Sequence, residues 1–292
     1  MSHWYNILEK QPVIVREKLS NIFEKFSLKG RTALVTGGAG LLGMQFTRAL
    51  GQAGAKVVVA DLDQDAARTH AGHLQTEEIQ ATAVGVDVTD PDSVSAMAET
   101  AVSKFGSLDV LVNSAALDPK FDPGNVDLQS ANAFETYPLE SWKTAIDVNL
   151  TGMFLTCQAA ARQMLVQNYG VIINICSTYG LVGPDQRLYE RPDGPPQYKP
   201  VYYTVSKAGV LGLTRYLATY YSGKPIRVNA LTPGGIYNQH DDTFLKAYSS
   251  RTVIGRMAHP DEMNGALIFL ASEASSYMTG ANLVVDGGWT AW

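Results

Sequence analysis

The 292-residue chain has only two cysteines, Cys157 and Cys176, and no long uninterrupted apolar run. Two thiols supply neither a disulfide framework nor a Cys-rich metal site. Both fall in apolar segments that read as a helix and a buried strand, so they are expected as core residues in a reducing, cytoplasmic setting. The missing apolar run excludes a spanning helix, and the opening MSHWYNILEKQP has no continuous apolar core, so neither a membrane partner nor export is expected. Charge is also scarce. At 17% charged residues, a net charge of −5 and no Lys/Arg block, the chain offers no electrostatic reason to bind nucleic acid. Of the five histidines, His3, His70, His73, His240 and His259, only His70 and His73 fall close together. That pair is expected as a solvated helix face, and no metal is expected.

What is present is a 46% hydrophobic content, enough for one α/β core. From Arg31 onward, β-like runs (TALVTG, KVVVAD, TAVGVDV, LDVLVNSAA, GVIINICS, IRVNALTPG, ANLVVDGG) alternate with helix-length stretches such as QFTRALGQAGA and DSVSAMAETAVSKFG. Near-continuous Val/Ile/Leu runs suit strands buried on both faces, so the expected fold is α/β: a Rossmann-type doubly wound parallel sheet in a single domain over residues 29–292. Ahead of it, Val15, Leu19, Ile22, Phe23 and Phe26 recur at helical spacing. Residues 1–28 are therefore expected as an added amphipathic helix that braces the body.

The octet TGGAGLLG at 36–43 sits between the first expected strand and a helix, where a dinucleotide-binding turn belongs. In Gly38-x-Gly40-x-x-Gly43, preceded by Gly37 and interrupted by Leu42, small residues let backbone approach a pyrophosphate while the N–H groups of the helix start face its charge. Asp61 ends the second expected strand, where a carboxylate accepts from ribose hydroxyls and repels a 2′-phosphate. No Lys or Arg lies in the octet or directly after Asp61, so NAD is expected over NADP. Asp87 and Val88 are expected at the adenine and Asn113 and Ala115 at the ribose, while Asp63 reads as a loop charge.

Tyr203-x-x-x-Lys207, preceded by Ser177 in NICSTYG and Asn149 in DVNLTG, resembles the active site of the short-chain dehydrogenases/reductases, and the likeness runs nearly throughout 29–289. NSAA at 113–116, IRVNALTPGG at 226–235 and SSYMTGANLVVDGG at 275–288 support it. The resemblance implies an NAD-dependent oxidoreductase that moves a hydride between nicotinamide and a secondary alcohol or ketone. It implies Tyr203 as acid/base, Lys207 tuning that phenol and holding the nicotinamide ribose, Ser177 orienting the substrate oxygen, and Asn149 holding a relay water. It also places Leu62, Pro233, Gly234 and Ile236 at the cofactor. A free phenol titrates near ~10, so a base of this type needs a nearby cation, and Lys207 lies one helical turn from Tyr203. Tyr202 has only Ser206 at that spacing.

Two features depart from the compact members. The glycines read TGxxGxxG, a spacing more usual in sugar-nucleotide epimerases, although fewer than a hundred residues follow Tyr203 and no second substrate domain is expected; and Ala116 stands where NNAG has glycine. Residues 183–200, GPDQRLYERPDGPPQYKP, form an irregular insertion between Ser177 and Tyr203. From it Arg187, Tyr189 and Arg191, with Tyr198 and Lys199, are expected to meet a polar or anionic small-molecule substrate. The insertion, the N-terminal segment and the GGWTAW end resemble a bacterial subgroup linked to sugar or polyol oxidation and surface-glycan modification. A carbohydrate-derived alcohol is the first expectation, a 3-oxoacyl thioester the second, and sugar epimerisation or a non-catalytic cofactor-binding regulator the alternatives. Apolar surface on the helices around 148–167 and 203–221 implies a homodimer or homotetramer.

Overall fold

The computed structural model describes residues 21–118, 132–190 and 197–292. Seven parallel strands form one sheet: β1 (Thr32–Thr36), β2 (Lys56–Asp61), β3 (Ala81–Gly85), β4 (Val110–Asn113), β5 (Gly170–Ile175), β6 (Ile226–Pro233) and β7 (Asn282–Val285). Their order is β3-β2-β1-β4-β5-β6-β7. The chain winds outward from β1 through β2 to β3 and then returns to β4 on the other side of β1. The strand order therefore reverses between β1 and β4, where open α/β sheets bind ligands.

The eight described α-helices cover both faces: α1 (Leu41–Gln52), α2 (Gln64–Thr76), α3 (Pro91–Phe105), α4 (Leu139–Ile146), α5 (Gly152–Val166), α6 (Val201–Tyr220), α7 (Asp242–Ser249) and α8 (Asn264–Ala271). Alternation within β1 shows the two-sided burial: Leu34 packs in the layer with α3, α5 and α6, whereas Ala33 and Val35 pack in the layer with α1, α2 and α8. Local chemistry starts and stops the helices. Asp63, expected as a free loop charge, accepts from Asp65 N and Ala66 N and caps α2. Asp90 with Pro91 opens α3, and Gly106 at φ 89° ends it.

The expectation for His70 is corrected. Its Nε2 lies 2.7 Å from Thr47 Oγ1 on the face of α2 turned to α1, and only His73 is exposed. Both cysteines are buried, and burial pushes the Cys157 thiol up to about 12. Of the expected N-terminal helix, Val15 and Leu19 lie outside the described residues; Ile22–Phe26 form a 3₁₀ turn, with Phe26 against Phe269. No helix among the described residues is long and apolar enough to cross a membrane.

Candidate active site

A cavity of about 890 Å³ opens along the carboxyl ends of β1, β2, β4, β5 and β6. One end is a glycine cradle. Gly37 has φ +63°, and a Cβ there would stand 2.9 Å from Ala115 Cα, so this position requires glycine twice over, for its dihedral and for the close approach of the loop after β4. A Cβ on Gly43 would come 1.9 Å from Gly37 O, which lets the first turn of α1 sit flush on the loop. Gly40, where the glycine spacing departs from the compact pattern, would meet only Gly37 O at 3.2 Å. It caps α1 without a side-chain hydrogen bond, and no acidic residue occupies the first turn, so the partial positive charge of that terminus faces the cavity.

Asp61, at the end of β2, accepts from Ala39 N at 3.0 Å and from Asp63 N at 3.1 Å. Gly37, Gly40, Leu42, Gly43, Asp61, Leu62, Asp87, Val88, Ala115, Pro233, Gly234 and Ile236 all line the cavity. Asp87 also holds Thr89 N and Oγ1, and those two bonds keep its carboxyl below the ordinary carboxylate value. Two expected positions do not line the cavity. Gly38 is turned to the sheet, where a Cβ would meet Val35 O and Val59 Cγ1 at 2.9 Å. Asn113 is buried beneath the cavity, donating to Asn174 Oδ1 at 2.9 Å and accepting from Thr156 Oγ1 at 2.7 Å, because its side chain faces the core layer under α5.

At the other end, α6 begins directly after Pro200 and carries Tyr203 and Lys207 on one face. Tyr203 and Ser177 line the same end of the cavity, and Ser177 Oγ accepts from Tyr179 N at 3.2 Å. Lys207 Nζ donates to Ile175 O at 2.9 Å and stands 5.8 Å from the Tyr203 ring centre. Burial pushes the Tyr203 phenol well above its ordinary 10 and the Lys207 ammonium below its ordinary 10.5. Gly180 lets the turn after Ser177 press against α6, since a Cβ there would lie 2.7 Å from Lys207 O.

Between α4 and α5 the helix widens into a π turn at Asp147–Thr151, which aims Asn149 at the loop after β4. Asn149 Oδ1 accepts from Leu117 N at 2.6 Å, and Nδ2 donates to Leu117 O at 3.0 Å and Ser206 Oγ at 3.4 Å. Both amide protons are thus committed. The carboxamide fixes Leu117 and, next to it, Asp118.

The insertion divides. Tyr189 enters the cavity, its hydroxyl donating to Tyr179 Oη at 3.2 Å and its ring 5.6 Å from Phe244. Lys199 also enters and bonds Asp118. Arg187 does not line the cavity: its guanidinium takes both oxygens of Asp185, at 2.8 and 2.7 Å, on the exposed side of a 3₁₀ turn, Gln186–Tyr189. That corrects its expected place at the substrate. Tyr198 is not part of the lining, and Arg191 lies outside the described residues. Sequence reasoning missed Asp118, Tyr179, His240, Phe244 and Tyr248, which complete this end. His240 stacks on Phe244 at 5.0 Å, and burial lowers its pKa. Only the position of Tyr179, two residues beyond Ser177, signalled its part. Among the described residues no group of three His, Cys, Asp or Glu side chains is placed to hold a metal ion.

Residues 39–290 match the family described as Enoyl-(Acyl carrier protein) reductase. The chain is 34% identical over 279 residues to D-threitol dehydrogenase of Mycolicibacterium smegmatis, covering 94% of this chain and 98% of that one. It is 38% identical over 276 residues to cis-4-hydroxycyclohexanecarboxylate dehydrogenase of Sinomonas cyclohexanicum, covering 89% and 97%. The crystal structure of a gluconate 5-dehydrogenase from Burkholderia cenocepacia in complex with NADP and tartrate superposes with a TM-score of 0.81 at 30% identity, over 93% of this chain and all of the other. With this fold, this cavity and these relatives, the chain belongs to the short-chain dehydrogenase/reductase family. It is an oxidoreductase of CH–OH groups that uses a nicotinamide cofactor.

Proposed function

We propose that the chain oxidises a secondary alcohol of a neutral, polyhydroxylated, carbohydrate-derived substrate with NAD, and that Tyr203 is the proton acceptor. One observation carries the reading: Ser177, Tyr203 and Lys207 converge on a cavity whose far end is the glycine cradle and Asp61.

The residues fit a dinucleotide. The close approaches at Gly37 and Gly43 give backbone room for a pyrophosphate at the start of α1, and Asp61 stands where the adenosine ribose is read. Its carboxylate lies against Ala39 N, beside the place a 2′-phosphate would take, and favours NAD. When bound, oxidised nicotinamide supplies the hydride acceptor. Ser177 orients the alcohol oxygen. The Tyr203 phenolate takes the hydroxyl proton as the carbon gives up its hydride, leaving a ketone and a neutral phenol. Lys207 favours the phenolate electrostatically and holds the nicotinamide ribose.

The substrate class follows from the walls. Lys199 is matched by Asp118, and Arg187 is turned away, so a substrate carboxylate would find no free cation among these and would face a carboxylate. Tyr189, Phe244 and His240 supply flat faces against which the C–H face of a polyol or sugar packs. The similarity to a threitol dehydrogenase supports this reading. The test is reduced-nicotinamide absorbance with neutral polyols, sugars and aldonates, each with NAD and NADP, and with a 3-oxoacyl thioester given NADH and NADPH. Reduction of NAD by neutral polyols is expected. Turnover confined to thioester or aldonate, or to NADP, overturns the corresponding part.

We further propose that two copies pair through α5 and α6. Phe154, Val205, Tyr216 and Tyr220 are 47%, 44%, 62% and 65% exposed on these two helices, more apolar surface than the subunit itself covers.

A further inference from the structure

Tyr203 has a second cation beside it. Lys199 Nζ stands 4.1 Å from the centre of the Tyr203 ring, nearer than the 5.8 Å of Lys207 Nζ. Its position is built. Lys199 N donates to Gln186 Oε1 at 2.8 Å, Gln186 Nε2 donates to Lys199 O at 3.3 Å, and Pro200 follows at the start of α6. The side chain is 11% exposed, and its ammonium is bound by Asp118, which follows the Leu117 backbone gripped by Asn149. Two independent segments, the loop after β4 and the loop before α6, thus place an ion pair against the face of one phenol.

We propose that Lys199, with Asp118 as its counter-ion, is a positioning residue that acts through Tyr203: from the substrate side of the ring it biases the phenol toward its ionised form, while Asp118 limits that bias. This rests on Tyr203 being the proton acceptor. A cation over an aromatic face is attracted by the neutral ring and much more strongly by a full phenolate charge, so Lys199 favours ionisation. The Asp118 carboxylate opposes it and follows only burial in holding the phenol up. Asp118 also gives a nearly buried ammonium its partner. The other groups facing Tyr203 are Lys207 on its own helix, Cys176, Ser177 and Tyr179 after β5, and Tyr189 from the insertion. Among these Lys207 is the only cation, and it is held to Ile175 O. Lys199 and Asp118 therefore form an opposed pair whose members act on the phenol with opposite signs.

The test titrates Tyr203 directly, in full-length protein with tyrosine isotope-labelled at the hydroxyl-bearing ring carbon. Tyr203→Phe assigns the resonance, and no substrate is needed. Lys199→Met is expected to raise the Tyr203 midpoint by about one pH unit and Asp118→Asn to lower it by about one, with Lys199→Arg close to wild type. Shifts of the same sign, or none, overturn the proposal. Where a polyol is turned over, the limb of kcat/KM assigned to the base follows the same two directions. An unmoved titration with Lys199→Met raising KM for gluconate alone also overturns it, by making Lys199 a substrate anchor. Full activity of Tyr203→Phe defeats instead the functional reading beneath it, and is distinguished because the titration is read without turnover.

Discussion

The carboxylate of Asp61 accepts a hydrogen bond from the backbone N–H of Ala39 at 3.0 Å, tying the end of β2 to the glycine-rich loop. In the proposed NAD reading this carboxylate meets the adenosine ribose and would repel the extra phosphate of NADP. Asp61→Ala is expected to weaken NAD about tenfold, by loss of charge-assisted bonds to the ribose, and to weaken NADP little. Initial rates against each cofactor measure the ratio. Wild-type turnover with NADP equal to or above that with NAD would remove the assignment.

Removal of the Tyr203 hydroxyl takes away the proposed proton acceptor and leaves the ring packed, edge-on to Tyr179 at 6.5 Å. Tyr203→Phe is expected to lower kcat about a thousandfold with NAD affinity unchanged. Lys207→Met loses both, and Ser177→Ala falls between in kcat. Tyr202 is the control: its ring packs 6.2 Å from Tyr137 and lies outside the cavity lining, so Tyr202→Phe stays near wild type. Steady-state rates with equilibrium cofactor binding give the order. A dead Tyr202→Phe beside an active Tyr203→Phe would end the catalytic assignment.

Arg187 pairs with Asp185, and the stability this contributes is present at neutral pH and removed by acid. Its hydrogen bond is the largest cause that draws the Asp185 carboxyl from 3.8 to about 2. A depressed folded value contributes stability that is present above the unfolded value and is lost as pH falls through the folded one. Arg187→Ala should therefore lower Tm slightly at neutral pH, with the difference from wild type vanishing as pH falls from about 4 toward 2. The change stays small because Arg187 is solvent-exposed, and KM stays within about twofold. A large rise in KM would return Arg187 to the substrate.

Phe154→Glu places a charge on the exposed apolar face of α5. Light scattering at micromolar protein should show a dimer or tetramer for wild type and a smaller mass for the variant. A monomeric wild type would refute the pairing.

The seven strands were legible because strands buried on both faces read as unbroken Val/Ile/Leu runs. The third run overshot. β3 stops at Gly85, yet Val86 and Val88 continue the apolar pattern because they are buried beside the cavity after the strand has ended. The Ser177, Tyr203 and Lys207 positions were legible as a motif, and the structure brings them together. The insertion was not legible in detail: composition marks Arg187 and Lys199 alike as cations, and only the partners, Asp185 outside and Asp118 inside, separate them. His240, Phe244 and Tyr248 were missed because an aromatic residue in a sequence reads as core whether it faces a core or a cavity.

The buried carboxamide of Asn113 has a consequence for how the protein is made. Its partners, Thr156 and Asn174, are synthesised tens of residues after it, and Asn174 in turn donates to Thr214 Oγ1 at 3.0 Å, later still. A nascent chain that has emerged only through β4 holds the whole glycine cradle but leaves this polar group without the partners that make its burial affordable. Asn113 is therefore satisfied only once α5 and β5 have joined the sheet, and Asn174 only once α6 has followed them.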